Sequence, residues 1–171
     1  VTLELFQFAA SKSEFEKIGV RVIVSNESDL KIANNKRKLL DHLQNLGISV
    51  PNFRVATNYE EIERACLDLN YPANAVVIKP SVSNGSRGVR ILTESVSEYD
   101  LLFNEKPGNL FSNLKSIKEV LFDVSFPELL VSEYLPGDEY TVDTIVRDGK
   151  VKVIIPRKRK NGGWNIGSRN I

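Results

Sequence analysis

The 171-residue sequence contains no methionine, one cysteine, one histidine and one tryptophan. These scarcities each exclude something. A lone Cys66 cannot form an internal disulfide, and with His42 the only imidazole the chain cannot assemble a zinc site of the Cys/His type. A hard cation held by oxygen ligands is not excluded. Net charge is nearly absent as well: 23 Lys and Arg against 22 Asp and Glu leave +1. No global field draws the molecule onto nucleic acid or anionic lipid, so recognition has to be local. No apolar run reaches the roughly eighteen residues of a membrane-spanning helix. The opening residues 1–12 lack the basic start and apolar stretch of a secretory signal. A cytoplasmic enzyme or binding domain is therefore expected, without a membrane partner. The absent Met, a start inside an apolar segment and an end without a closing element point to a piece of a longer protein. What is present, 42% hydrophobic and 26% charged residues, suits one or two small globular layers.

Periodicity alternates between helix and strand, the pattern of a mixed α/β fold. Residues 11–18 suit a short helix stopped by Gly19, and Val20-Arg21-Val22-Ile23-Val24 suits a strand. Asn34 or Asn35 caps a helix carrying Leu39, Leu40, Leu43 and Leu46, with Gly47 as its stop. Lys36, Arg37 and Lys38 crowd its first turn against the helix dipole, which suggests solvent screening or an anion shared with the helix end. Thr57 with Glu60 forms a capping box for a helix with Ile62, Ala65, Cys66 and Leu69 on one face. Residues 75–80 read as a buried strand, 81–88 as a small-residue loop and 89–92 as the next strand. Helices are expected near 97–103 and 116–122, around a turn at 106–109. A further strand starts at Leu129, and Asp148-Gly149 joins two alternating segments as a β-hairpin.

The loop after Lys79 invites a chemical reading. Gly85 and Gly88 permit unusual backbone angles and close approach, Ser83 and Ser86 add hydroxyl donors, and Lys79 supplies a compact charge suited to polyphosphate. The loop lies between two strands, so it fits neither GxxxxGK[ST] nor the helix-opening GxGxxG. An ordinary hairpin loop with a solvated lysine is the alternative at this point.

Further residues extend the pattern. Asn35-Lys36 opens a Leu-rich helix followed by Gly47 and Val50-Pro51. The strand Val76-Val77-Ile78-Lys79-Pro80 comes next with its Ser/Gly loop, then Ser132-Glu133-Tyr134-Leu135-Pro136-Gly137-Asp138-Glu139-Tyr140. In this order and spacing the chain resembles the ATP-grasp superfamily from about Val20 onward, closest in flavour to carbamoyl-phosphate-synthase-like carboxylate-amine ligases. The resemblance implies an α/β (α+β) fold: an N-terminal α/β part over 1–72, a small lid subdomain over 73–128, and from 129 to 171 the start of a larger antiparallel sheet domain. It implies that Lys36 and Lys79 hold the α- and β-phosphates of ATP, and that the loop with Ser83, Asn84, Gly85, Ser86 and Gly88 closes over them. Glu133 and Leu135 would bond adenine through backbone carbonyl and amide, and Glu139 would accept from the ribose hydroxyls. A base needs an apolar slot with one donor and one acceptor at fixed spacing, and a carboxylate accepts naturally from paired hydroxyls. The sequence departs from the family at Asn35, where Asp is usual, and at Ser132, where many relatives have Glu. The family's Mg²⁺ ligands and catalytic Arg are expected beyond residue 171, so no metal ligand is assigned here.

The implied function is ATP-dependent ligation, a substrate carboxylate activated as an acylphosphate for attack by an amine or similar nucleophile. ATP, Mg²⁺ and a small-molecule carboxylate are the implied partners, and the residues do not define the oligomeric state. The fragment alone is expected to be inactive. A nucleotide-binding module without turnover is the alternative. Arg157 to Trp164 allows two further readings, a nucleic-acid patch with a stacking aromatic or a solvated loop, and the resemblance adds a third with Arg157 facing the acceptor. No nucleic-acid partner is expected. His42 reads as a surface or packing residue, and Cys66 as a small core hydrophobe.

Overall fold

Four short helices precede the first strand: α1 (Glu4–Ala10), α2 (Lys12–Lys17), α3 (Glu27–Ala33) and α4 (Lys36–Asn45). The structure, a computed structural model, describes residues 4–83, 85–97, 99, 103, 110–121 and 126–158. Then follow β1 (Phe53–Ala56), α5 (Tyr59–Asp68), β2 (Val76–Pro80), β3 (Arg90–Leu92), β4 (Phe111–Ser112), α6 (Leu114–Leu121), β5 (Leu129–Glu133), β6 (Tyr140–Arg147) and β7 (Lys150–Lys158). The chain divides into two compact units, one ending at Tyr134 and the other beginning at Leu135. Among the described residues no helix is long and apolar enough to cross a membrane.

The first unit is organised by a five-stranded sheet in the order β1-β5-β2-β3-β4, antiparallel except for β3 with β4. β5 carries four consecutive buried residues, Leu129 to Ser132, as a strand covered on both faces must. Strand alternation puts Val76, Ile78, Leu129 and Val131 on one face, where they pack with Ile62, Ala65 and Cys66 of α5. Leu114, Ile117 and Leu121 of α6 close the same core. Cys66 is fully buried, and burial pushes its thiol up to about 11, so it packs as an inert hydrophobe. Val77, Lys79, Leu130 and Ser132 share the opposite face.

Three expectations need correction. Val20 to Val24 forms no strand, because no described segment pairs with it; it runs extended beside Leu5, Phe8 and Phe15, lining an open hollow of about 320 Å³. β propensity alone cannot satisfy a ladder. The cap of α5 is shifted by one residue: Asn58 Oδ1 accepts from the Glu61 amide at 2.8 Å, and Glu61 reaches back to the Thr57 amide at 2.7 Å and its hydroxyl at 2.9 Å. These bonds hold the Glu61 carboxyl below its ordinary value. Finally, the strand at Leu129, expected to open a separate sheet, pairs with both β1 and β2 inside the first unit. Helix α3 was not anticipated. The expected helix near 97–103 and the turn at 106–109 fall largely outside the described residues.

In the second unit β6 and β7 form an antiparallel hairpin with a register shift at Ile145/Val146. Its turn places Asp148 and Gly149 at φ +53° and +70°, the left-handed pair that a two-residue loop needs. Arg157 pairs with Asp143 at 2.5 Å, and Lys158 with Asp138 at 2.5 Å. The Asp138 carboxylate raises the Lys158 ammonium above its ordinary value.

Candidate functional site

The end of β2 gathers the cationic residues that the sequence singled out. Asn35 caps α4, its Oδ1 accepting from the Lys38 amide at 3.0 Å, and so fixes where Lys36 begins the helix. The Lys36 amide donates to the Ser81 carbonyl at 2.8 Å, which ties the helix start to the residue after β2. From there the Lys36 ammonium donates to the Pro80 carbonyl at 3.2 Å and to the Ser83 carbonyl and hydroxyl, both at 3.0 Å. All three acceptors are neutral. They occupy its protons without cancelling its charge, and burial lowers its pKa.

Lys79 directly precedes Pro80, whose carbonyl accepts from the Lys36 ammonium. The Lys79 ammonium is also held below the ordinary lysine value, first by burial and then by repulsion from Lys36. Two half-buried ammonium groups that repel each other form a site whose energy falls when an anion enters between them. Crowding of cations at the start of α4 is resolved differently for Arg37. It pairs with Glu128 at 2.7 Å and, more loosely, with Asp41 at 3.7 Å, an ion-pair arrangement that the sequence reading did not foresee. Ser81 donates its amide to the Glu128 carbonyl at 3.0 Å. The bond from Arg37 helps hold the Glu128 carboxyl below its ordinary value. Helix α4, the end of β2 and the start of β5 are thereby fastened together.

The loop that follows is compact and left-handed. Gly85, Ser86 and Gly88 have φ of +59°, +58° and +73°, and all three are exposed. Gly88 also lies against Pro80: a Cβ there would sit 2.7 Å from the ring Cγ. Glycine is required at this position on two grounds, backbone angle and space. Ser83 is held by Lys36, and Asn84 lies outside the described residues.

At the far end of β5, Glu133 donates its amide to the Asn52 carbonyl at 2.9 Å. Its carboxylate accepts from the Asn52 amide at 2.9 Å and from Asn52 Nδ2 at 3.2 Å. Asn52, set directly after Pro51, carried no signal in the sequence beyond that position. Leu135 and Glu139 belong to the second unit, with Leu135 exposed and Glu139 half-buried. Arg157 is exposed in its pair with Asp143, and residues 159–164 of the basic segment lie outside the described residues. His42 is exposed on α4. Among the described residues no three His, Cys, Asp or Glu side chains converge as metal ligands.

Comparison with known proteins finds relatives for this arrangement. Residues 125–169 match the family described as ATP-grasp in the biosynthetic pathway with Ter operon. The carbamoyl phosphate synthase large chain of Saccharolobus islandicus is 35% identical over 88 residues, 50% of this chain and 8% of that protein. Its counterpart in Clostridium acetobutylicum is 26% identical over 140 residues, 82% of this chain and 11% of that one. Among solved structures, D-alanyl-alanine synthetase A from Vibrio cholerae superposes with a TM-score of 0.57 at 14% identity, over 89% of this chain and 41% of that one. A RimK domain ATP-grasp protein from Sphaerobacter thermophilus gives 0.56 at 21%, over 82% and 47%. The chain thus spans about a tenth of the curated relatives' length and under half of these solved chains. Both lines of comparison define one class, mixed α/β with antiparallel sheets, the fold of ATP-grasp ligases. The chain is similar to ATP-grasp proteins in sequence over these segments and has their fold.

Proposed function

We propose that this chain is the ATP-holding part of an ATP-dependent carboxylate-amine ligase. One observation carries the reading: the Lys36 ammonium is held by the carbonyl of Pro80, the residue after Lys79, and by Ser83, all neutral acceptors, while burial lowers the pKa of both lysines and Lys36 repels Lys79. Polyphosphate is the ligand such a pair favours, because it supplies the negative charge the site lacks. Lys36 and Lys79 are assigned to the α- and β-phosphates. The loop of Ser83, Asn84, Gly85, Ser86 and Gly88 would cover them through its amides, the backbones of Glu133 and Leu135 would bond adenine, and Glu139 the ribose. Arg157 is assigned to the acceptor. The lid subdomain is proposed to extend to Tyr134, since β5 belongs to its sheet.

In the overall reaction a substrate carboxylate oxygen attacks the γ-phosphorus, the bond to the β-phosphate oxygen breaks and ADP departs. An amine lone pair then attacks the acyl carbon, phosphate leaves, and the amine proton passes to base. The residues of this chain contribute position and charge rather than covalent chemistry. Calorimetric titration with ATP tests the reading. Saturable binding is expected, weakened by about 1–3 kcal/mol in Lys79→Ala through loss of a charge-assisted contact. Unchanged affinity in that variant would remove Lys79 from the site.

A further inference from the structure

The clasp between Glu133 and Asn52 breaks the rule of the ladder it terminates. β1 and β5 pair with Phe53 opposite Ser132 and Arg54 opposite Val131, so Asn52 stands opposite Glu133 one step further on. The Glu133 amide donates to the Asn52 carbonyl at 2.9 Å, which makes this a hydrogen-bonded pair. In such an antiparallel pair the second bond runs back from the opposite amide to the carbonyl of the same residue. Here the Asn52 amide donates to the Glu133 carboxylate at 2.9 Å instead, and Asn52 Nδ2 adds a second bond at 3.2 Å. The side chain has taken the bond that the ladder assigns to its own main-chain carbonyl. One residue beyond, the same register sets Pro51 opposite Tyr134 in a non-hydrogen-bonded pair, and the Tyr134 amide turns to the Ala75 carbonyl at 3.3 Å.

We infer that Glu133 is a positioning residue whose carboxylate, clasped by Asn52, diverts the ladder bond and so reserves the Glu133 carbonyl for the exocyclic amino group of a 6-aminopurine. The inference rests on the proposed ATP reading and deepens it by naming what selects the base. A 6-oxopurine presents a carbonyl at the same place and meets acceptor with acceptor, so the reserved carbonyl discriminates against it. The Asn52 amide would otherwise compete with the base for that oxygen.

Calorimetry with ATP, ITP and inorganic tripolyphosphate, all in the presence of Mg²⁺, tests the clasp. Asn52→Asp sets carboxylate against carboxylate and frees the amide at position 52 to bond the carbonyl. ATP affinity should fall about three- to tenfold, the range for one or two lost hydrogen bonds, while tripolyphosphate affinity holds. The preference for ATP over ITP should shrink by the same factor. Adding Glu133→Gln should restore ATP, because the new side-chain amide at 133 donates to the new carboxylate at 52 and its oxygen again accepts from the amide there. Equal losses of ATP and tripolyphosphate, or an unchanged ATP affinity, would overturn the inference. If Lys79→Ala weakens ATP and Asn52→Asp does not, the nucleotide reading stands and the clasp alone falls. Absence of ATP binding in the unsubstituted protein overturns both.

Discussion

β2 with β5 and β6 with β7 are antiparallel pairs built from the same residue types under opposite conditions. In the first, Val76, Leu130 and Val131 are wholly removed from solvent; in the second, every residue of both strands is exposed, Ile154 at 61%. A sheet of apolar residues is thus no guide by itself to where stability resides. Cross-strand pairs hold the hairpin, each contributing about 0.2–1 kcal/mol. The five-stranded sheet adds to such pairs the burial of a continuous core beneath α5 and α6, and it is there that the cationic site is anchored.

The contrast can be broken by substitution. Ile62→Ala, which empties a fully buried position, should cost about 2–5 kcal/mol in urea unfolding, against under about 0.5 kcal/mol for the exposed Ile154→Ala. Losses of equal size would mean that the hairpin is as tightly packed as the sheet. A smaller effect compares two glycines at nearly the same angle, Gly88 at φ +73° and Gly149 at +70°. Both pay the left-handed strain of an added Cβ, about 1–2 kcal/mol, but only at Gly88 does that Cβ meet Pro80, the atoms near Gly149 lying beyond 4 Å. Thermal melts of Gly88→Ala and Gly149→Ala should therefore differ, with Gly88→Ala the lower; identical midpoints would deny the close approach.

The smallest effect concerns charge. Glu128 titrates below its ordinary carboxylate value in the folded chain, so its contribution is present above the unfolded pKa and disappears as pH falls through the folded one. For a partly exposed pair with Arg37 this amounts to about 0.2–1 kcal/mol. Melting of Glu128→Gln compared with the unsubstituted chain should show a deficit near neutral pH that closes in acid. A deficit independent of pH would assign the effect to packing instead.

Much of this was legible in the residues. The Leu-rich helix with Gly47, the apolar face of α5, β2 ending on Lys79 and the hairpin at Asp148-Gly149 all follow from spacing and turn chemistry, which are local. Lys36 and Lys79 stood out as candidates because a cation beside a helix start, or before a glycine loop, is costly without a purpose. Other features were hidden for a physical reason. Val20 to Val24 has the composition of a strand but no partner among the described residues, and the cap at Asn58 differs from one at Thr57 only in which side chain reaches which amide. Glu128 and Asn52 matter through residues 91 and 81 positions away in the chain, and no periodicity reports a contact at that range.

By itself the sequence determined the fold class, the alternation of helices and strands, and which side chains bear charge near small-residue loops, since all of these reside in local pattern and motif order. Tertiary structure alone decided that β5 lies between β1 and β2, that the two lysines share one partly desolvated corner, and that a glutamate side chain replaces its own carbonyl in the ladder. Each of those depends on which distant segments come together, and pairing of that kind is settled by burial and by the satisfaction of backbone hydrogen bonds across the whole fold.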